Sequence, residues 1–577
     1  MNKIAAEFWL GGLLLVALAL RLWGMYQGYP EFYGHVDEVG VAASIWNFFR
    51  AATLLPTEFT YPALYSYLVA ASLWCSYWLG AGPPGDNAME GLVLLSYIDP
   101  AWVALVGRSV SVVVSTLTLL VIFLLGKAVN NQKVGLLAAL FAAFALVPIQ
   151  QAHRALPDST MAFLATLCFY FSWRIYQRGG WSDYLLAGAM AGLVVATKYN
   201  GAFTALAIVA AHLLRRLEGQ YTVSQYILSR RFWVCVITAF ATLFIGSPYL
   251  FLAYEKYWSL ISYQVSALDF ALEEKQPWWW VITQLVRIEY VLGVLMLAGM
   301  AYSLHQRRAW DWLLLAAWVP SFLYIGSWTR ESLHYLVHFY PVLALGAARL
   351  VYELIERRPI LAQWTGRGWG LAICCIMPNV YAAIQADSEL AKPDTRSQAA
   401  NWIEENIPSG SKIAMTWLPY CPRLALEPAR RNIRRYYQSR PDLLLHLDRV
   451  WDQRMAYHLV NLEIWLKKPV VPEAYKNTVD LNDPETVRVF RRGWRSLRQL
   501  RQAGVQYIVL PGAAYGRYLD MAAPPSGTAA HYHYLKNNTY FKNIIAPENP
   551  ETERLVRFTS GSQVRGGTIE IYRLLGQ

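Results

Sequence analysis

The chain has 577 residues, 55% of them hydrophobic and 16% charged, with a mean hydropathy of +0.25. Soluble globular chains are rarely this apolar over such a length, so composition excludes a single soluble domain, and length suggests two or more units. The net charge of +12 does not imply nucleic acid: no basic, aromatic-interleaved platform or known nucleic-acid motif is present, and cytoplasmic-loop Lys and Arg commonly give a membrane protein such an excess.

In chain order, apolar residues fall in blocks up to about Ala386, after which the sequence reads as an ordinary soluble segment. A helix crossing a bilayer needs roughly 20 apolar residues. Residues 8–23 form the first such block. No A-x-A-like site follows it and further blocks do, so it reads as a signal anchor, not a cleaved leader. Ten further spans are predicted at about 101–126, 134–151, 159–177, 182–197, 200–214, 232–253, 280–303, 310–327, 335–352 and 369–386.

The loops between them alternate in charge. Lys127, Lys133, Arg178, Arg215, Arg216, Arg230, Arg231, Arg307, Arg308, Arg357, Arg358 and Arg367 share one side, which the positive-inside rule makes cytoplasmic. If the apolar stretch 61–79 also crossed, parity would put Lys127 and Lys133 outside and invert every later loop. It is therefore predicted to lie on or dip into the outer face, as its Tyr61-Pro62 start and Tyr/Trp content suit. The expected architecture is a polytopic α-helical membrane protein of about 11 transmembrane helices plus juxtamembrane helices, with a C-terminal soluble α/β domain. Residues 1–386 form the membrane domain, with 27–100 as a large first outer loop, and 387–577 form the α/β domain. The chain is expected in the cell inner (plasma) membrane, with its N-terminus cytoplasmic and its C-terminal domain extracytoplasmic. The six cysteines show no CxxC or zinc-like spacing and read as small packing residues.

Two outer loops carry the candidate chemistry. His35-Val36-Asp37-Glu38 follows the first span, and ionised carboxylates beside hydrocarbon are costly unless partnered or used. Asp37 could instead simply favour a helix dipole. The second loop, 153–159, holds Arg154 and Asp158. Asp158 could cap the span that follows, which is compatible with a functional role. Lys198, Arg330, His334 and Tyr335 lie at the same predicted level, where cations could also snorkel to headgroups. Two acidic loops and several cations thus converge where an anionic lipid headgroup would sit. His35, Asp37, Glu38 and Asp158 could also ligate a divalent ion, although no metal or other cofactor is expected.

In the C-terminal segment, Thr395-Arg396-Ser397-Gln398 fits a capping box opening a helix that Pro408 and Gly410 stop. Strands are predicted at 412–416, 505–510 and 568–573, the last ending the sheet. The cluster Arg430, Arg431, Arg434, Arg435 and Arg440 reads as a solvated face or a contact with anionic headgroups or an acidic acceptor, and Asn537-Asn538-Thr539 matches the N-glycosylation pattern. No catalytic constellation is evident here.

At these residues the sequence resembles the GT-C superfamily of membrane glycosyltransferases, in particular the dolichyl-phosphate-mannose protein mannosyltransferase branch and the aminoarabinose transferase of lipid A. The likeness covers roughly residues 8–352. It runs through Asp37-Glu38, Tyr61-Pro62-Ala63-Leu64-Tyr65, Arg108, Gly126-Lys127, Arg154…Pro157-Asp158, Thr197-Lys198 and Arg330…His334-Tyr335…Pro341. Two departures stand out: the family often has Pro-Pro or Lys-Pro where this chain has Tyr61-Pro62, and the region after Arg330 matches loosely.

The resemblance implies a polyprenyl-phosphate-linked sugar as donor and a protein or glycolipid acceptor on the outer side, with inversion at the anomeric carbon. Such a transfer needs a base on the acceptor, which a carboxylate suits by analogy with inverting glycoside chemistry. That role is expected of Asp37, with Glu38 as runner-up or orienter, and Asp158 would orient the acceptor or tune the site through its charge. Lys198, Arg154 and Arg330 would hold the leaving lipid phosphate, Lys198 first among them, with His334 and Tyr335 beside them. The rival readings are a transporter or flippase for a lipid-linked intermediate, and a non-catalytic subunit of a larger complex. A transporter would more often show charges buried mid-span or an inverted repeat, and the sequence shows neither clearly.

Overall fold

A computed structural model describes residues 3–30, 33–80, 87–218, 229–269, 277–328, 331–356, 366–416, 418–451, 454–546 and 549–576. Helices occupy every stretch predicted to span. They are α1 (Lys3–Trp23), α2 (Glu38–Arg50), α3 (Leu64–Trp78), α4 (Ala88–Ile98), α5 (Trp102–Val129), α6 (Gln132–Phe144), α7 (Leu146–Ala152), α8 (Asp158–Gln177), α9 (Trp181–Thr197) and α10 (Ala205–Glu218). There follow α11 (Arg230–Gly246), α12 (Tyr249–Leu252), α13 (Tyr254–Asp269), α14 (Trp280–Gln306), α15 (Ala309–Gly326), α16 (Tyr340–Glu356) and α17 (Gly366–Leu390). Among the described residues, six helices are long and apolar enough to cross a membrane, or seven if the bent pair α6/α7 is one span. The remaining expected spans, α8 to α11, are helical but shorter or more polar.

The α6/α7 bend of 62° has a local cause. Pro148 cannot follow an unbroken helix, because its ring would strike the carbonyl of Phe144 four residues back. The chain opens at Ala145, which is extended (φ −65°, ψ 126°). The freed amides of Leu146 and Val147 donate to the Glu289 carboxylate at 2.8 and 3.0 Å, and Asn379 adds a third bond at 2.8 Å. Glu289 lies inside α14 and is fully buried, and Arg349 pairs with Asp311 in the same bundle. Glu289 is therefore an ionisable group buried mid-span, where the sequence reading found none clearly, whereas Asp311 lies in the first turn of α15. Glu289 serves there as the cap of a broken helix.

Stretch 61–79 contributes α3, whose 15 residues extend about 22 Å, short of the roughly 30 Å hydrocarbon core. With α2 and α4 it builds a separate apolar cluster around Ile45, Trp46, Phe49, Tyr65, Val69 and Leu92. Tyr65 Oη donates to the Gly107 carbonyl at 2.8 Å and ties this layer to α5.

The C-terminal segment folds around a six-stranded sheet. Its strands are β1 (Lys412–Met415), β2 (Ala425–Leu426), β3 (Ala456–Asn461), β6 (Tyr507–Pro511), β7 (Thr552–Phe558) and β8 (Ile569–Leu574), in the order β2-β3-β1-β6-β8-β7. A two-stranded ribbon of β4 (Glu463–Trp465) and β5 (Arg492–Trp494) stands apart from it. The first four strands of the large sheet run parallel, and β8 runs antiparallel to both its neighbours, β6 and β7.

Three sequence readings need correction. β8 is internal, and β7 forms the edge. The helix Thr395–Asn406 is capped by Asp394, whose Oδ1 accepts from the Arg396 amide at 2.9 Å, so the predicted box starts one residue late. Asn537 is buried within a helix, bonded to Trp494 and His533, and is not an exposed glycosylation acceptor.

The domain docks on the layer formed by α2, α3 and α4. Leu94 of α4 packs with Tyr437, Leu443, Leu447 and Trp451, and Arg440 pairs with Glu90 at 2.6 Å. Arg434 pairs with Asp448 at 2.8 Å, so part of the arginine cluster is satisfied within the protein.

Candidate active site

The two acidic loops meet at one rim of the bundle. Asp37 stands at the N-cap position of α2 without a side-chain capping bond, and its Oδ2 instead accepts from Tyr61 Oη at 3.2 Å. Its amide donates to His35 Nδ1 at 3.2 Å. The Tyr61 ring in turn lies under Lys198, whose Nζ is 5.2 Å from the ring centroid and 5.5 Å from that of Tyr335. Lys198 Nζ donates to Asp158 Oδ1 at 2.8 Å. One continuous chain, Asp37–Tyr61–Lys198–Asp158, therefore joins the loops that sequence reasoning brought together. Lys198 ends α9 and leads into a 3-10 turn, Tyr199–Thr204. A second 3-10 turn, Leu333–Phe339, brings His334 and Tyr335. Asn200 Nδ2 donates to the Tyr335 carbonyl at 2.5 Å, locking the two turns together.

The three carboxylates differ sharply in access. The side chain of Asp37 is 45% exposed, that of Glu38 is fully buried and that of Asp158 is 1% exposed. Every oxygen of Glu38 is committed: Arg108 Nε donates at 3.0 Å and Nη2 at 2.7 Å, the Ala155 amide at 2.7 Å and the His35 amide at 3.1 Å. Arg108 Nη1 also holds the carbonyls of Met25 and Gln27. This buried knot fastens α2, α5, the end of the α1 segment and the 153–157 loop to one another. Burial alone pushes the Glu38 carboxyl up, but the Arg108 charge and the two amides outweigh it and hold the group below the ordinary carboxylate value.

Nearby, burial and then the Arg154 charge hold His35 below its ordinary value. Burial, then Asp37, keeps the Tyr61 phenol protonated well above its usual range. The Arg154 guanidinium is half-buried, with no side-chain hydrogen bond among the described residues, and it lies within the field of Asp158, Glu38 and Asp37. Arg330 falls outside the described residues. Among the described residues no three His, Cys, Asp or Glu side chains gather as a metal site. Lys198 instead occupies Asp158 Oδ1, while Asp158 Oδ2 is buried with no hydrogen-bond partner among the described residues.

Comparison with known proteins follows this geometry. Residues 101–250 match the family model for dolichyl-phosphate-mannose-protein mannosyltransferases. The matched segment runs from α5 through α11 and includes Arg108, Arg154, Asp158 and Lys198. The match covers 150 of the 577 residues, and over that segment the chain is similar to this family of membrane mannosyltransferases.

No curated protein matches the chain in sequence. Among solved structures, an oligosaccharyltransferase from Archaeoglobus fulgidus tethered to an acceptor peptide is 13% identical, covers 97% of this chain and 74% of its own, and aligns with a TM-score of 0.49. ArnT from Cupriavidus metallidurans is also 13% identical, covering 79% and 90%, with a TM-score of 0.46. The protein O-mannosyltransferase Pmt1-Pmt2 of S. cerevisiae is 16% identical over 44% and 35%, with a TM-score of 0.34.

Behind the rim, sequence reasoning missed a second buried polar group. Arg21 Nε donates to Ser115 at 2.8 Å, and His153 Nδ1 lies 3.6 Å from Asp387. The Gln27 side-chain amide donates to the His153 carbonyl at 3.0 Å, so this cluster braces the loop that presents Arg154. Its only sequence signal was a charge at each of two span ends, Arg21 and Asp387, more than 360 residues apart.

Proposed function

We propose that this chain transfers a sugar from a polyprenyl-phosphate donor to an acceptor hydroxyl or amide on the extracytoplasmic side, with inversion. In one step the acceptor loses its proton to Asp37, its oxygen or nitrogen bonds the anomeric carbon, and the bond from that carbon to the lipid-phosphate oxygen breaks. Tyr61 orients Asp37. The leaving phosphate gains negative charge, and fixed cations in a poorly hydrated site stabilise it. Arg154 takes that role first, because Lys198 already neutralises Asp158. Lys198 with Asp158 then fixes the floor of the site, and Glu38 positions the loops without meeting substrate. His334 and Tyr335 border the same floor, and a lipid chain lies against α3.

A single observation carries this reading: of the three carboxylates gathered at the rim, Asp37 alone is open to an incoming acceptor, beside Arg154 and Lys198. The family match to mannosyltransferases named for a dolichyl-phosphate sugar supports a lipid-linked donor.

The test is a reconstituted assay with a radiolabelled polyprenyl-phosphate sugar. Transfer separates label from lipid, whereas flipping only moves the labelled lipid across the bilayer. Asp37→Asn is expected to stay folded and lose at least the roughly 10²–10⁴-fold that a general base supplies. Wild-type turnover by that variant would remove Asp37 from the mechanism.

A further inference from the structure

Two helices connect the rim to the opposite end of the bundle. α8 leaves Asp158 and ends 20 residues later, about 30 Å away, and α9 returns from Trp181 to Thr197 beside Lys198. At the far end α8 and α10 finish, and α9 and α11 begin, around a cavity of about 670 Å³. Four arginines line it: Arg215 and Arg216 from the last turn of α10, and Arg230 and Arg231 from the first turn of α11. Among the described lining residues the one carboxylate is Glu218, which accepts from Tyr176 Oη at 2.7 Å.

Arg215 and Arg231 are oriented by neutral acceptors. Arg215 Nη1 donates to the Tyr176 carbonyl at 2.8 Å, and Arg231 Nη1 to the Gly179 carbonyl at 2.7 Å. Such contacts aim the groups without cancelling their charge. Arg231 also stacks over Trp181 at 5.5 Å. The placement of Arg230 and Arg231 is unfavourable on its own terms, because cations in the first turn oppose the helix dipole. The first turn of α11 holds no acidic residue, and its N-cap Ser229 makes no capping bond. The Ser229 hydroxyl accepts from Arg216 instead, at 3.1 Å. An anion seated in the cavity would meet both demands, since a phosphate accepts several guanidinium forks at once.

We propose that this cavity binds a phosphate group, carried by an anionic lipid headgroup in the leaflet opposite the candidate active site. The lipid source follows from the surroundings. The faces of α10 and α11 beside the cavity expose Leu213, Leu217, Trp233, Ile237 and Phe240, an apolar surface that acyl chains would cover. Trp181 is half exposed at the cavity mouth, as aromatic residues at a headgroup boundary are. Basic pockets between membrane helices recognise headgroup phosphates by the same chemistry. The site stands independently of the transfer reaction.

The test uses the full chain in nanodiscs. Thermal unfolding is followed as phosphatidylglycerol is added to a phosphatidylcholine background, and separately with inorganic phosphate in phosphatidylcholine alone. A ligand bound only by the native state raises Tm. The wild type is expected to gain Tm with phosphatidylglycerol and none with phosphatidylcholine, and Arg230→Gln/Arg231→Gln to need roughly tenfold more of the anionic lipid or greater. Arg230→Gln alone removes an exposed side chain that holds no backbone, and it gives a smaller shift in the same direction if the double variant fails to fold. A Tm gain from inorganic phosphate that phosphatidylglycerol does not exceed would overturn the lipid source. Equal midpoints for wild type and both variants with either probe would overturn the site.

Discussion

Replacing Glu38 with Gln separates a carboxylate that holds the site together from one that reacts in it. Glu38 accepts four hydrogen bonds from three partners, and its side chain is fully buried with Arg108. A Gln keeps the shape but turns one oxygen into a donor. Whichever way the amide faces, it meets either Arg108 Nε and the Ala155 amide or Arg108 Nη2 and the His35 amide, so two donors lose their acceptor. Arg108, 1% exposed, then keeps the Met25 and Gln27 carbonyls and one of its two bonds to the side chain at 38, without the neutralising charge. Breaking a buried ion pair from one side costs roughly 3–5 kcal/mol. Because Gln retains one accepting oxygen, the expected cost is near the lower bound, about 3 kcal/mol.

The assay pairs thermal unfolding in nanodiscs with transfer measured well below the transition. Glu38→Gln should lower Tm by several degrees and reduce turnover only as far as the 153–157 loop is displaced. Asp37→Asn should do the reverse, losing turnover at a nearly unchanged Tm. Adding Arg108→Gln to Glu38→Gln should recover part of the lost stability, since residues in one network couple by about 0.5–3 kcal/mol. A Glu38→Gln protein with wild-type Tm and no turnover would refute this reasoning and make Glu38 a reacting group.

Four further outcomes are expected. Lys198→Met leaves Asp158 buried without its partner, so both Tm and turnover fall. Asp158→Asn in the same background should restore Tm but not turnover, which a kcat and KM split will show. Chelation with EDTA should leave transfer unchanged, and a loss reversed by one divalent ion would replace the fixed-cation scheme. His35 is held below its ordinary value of 6.5, first by burial and then by Arg154. The unfolded chain therefore binds more protons in that range, and the His35 contribution to stability is complete above pH 6.5 and lost as pH falls through the folded value. The stability difference between wild type and His35→Gln should be flat above pH 6.5 and turn against the wild type below it, whereas the Glu38 contribution declines only below its ordinary 4.5. Gly192→Leu should separate α9 from α11, because a Cβ there would stand 2.1 Å from the Ala239 carbonyl oxygen, and a wild-type Tm would contradict that packing.

What was legible in the sequence follows from how local each signal is. Apolar blocks and loop charges depend on neighbouring residues alone, and helices stand at all eleven expected stretches, with 61–79 a short helix on the rim layer. β7 escaped because a bulge between Arg554 and Val556 breaks the two-residue alternation that marks a strand. Glu289 escaped because its partners are amides 142 and 143 residues away, freed by a proline in another helix. Asp37 and Glu38 show the limit most plainly. They are adjacent, equal in charge and equally placed beside the first span, yet one is 45% exposed and the other fully buried. Consecutive positions at a helix start point about 100° apart, so one of the pair must turn toward the bundle. Which one turns inward is decided by Arg108, 70 residues on, whose fork reaches Glu38. The motif therefore announces a carboxylate pair, and the division of labour between its two members is set by the tertiary position of a single arginine.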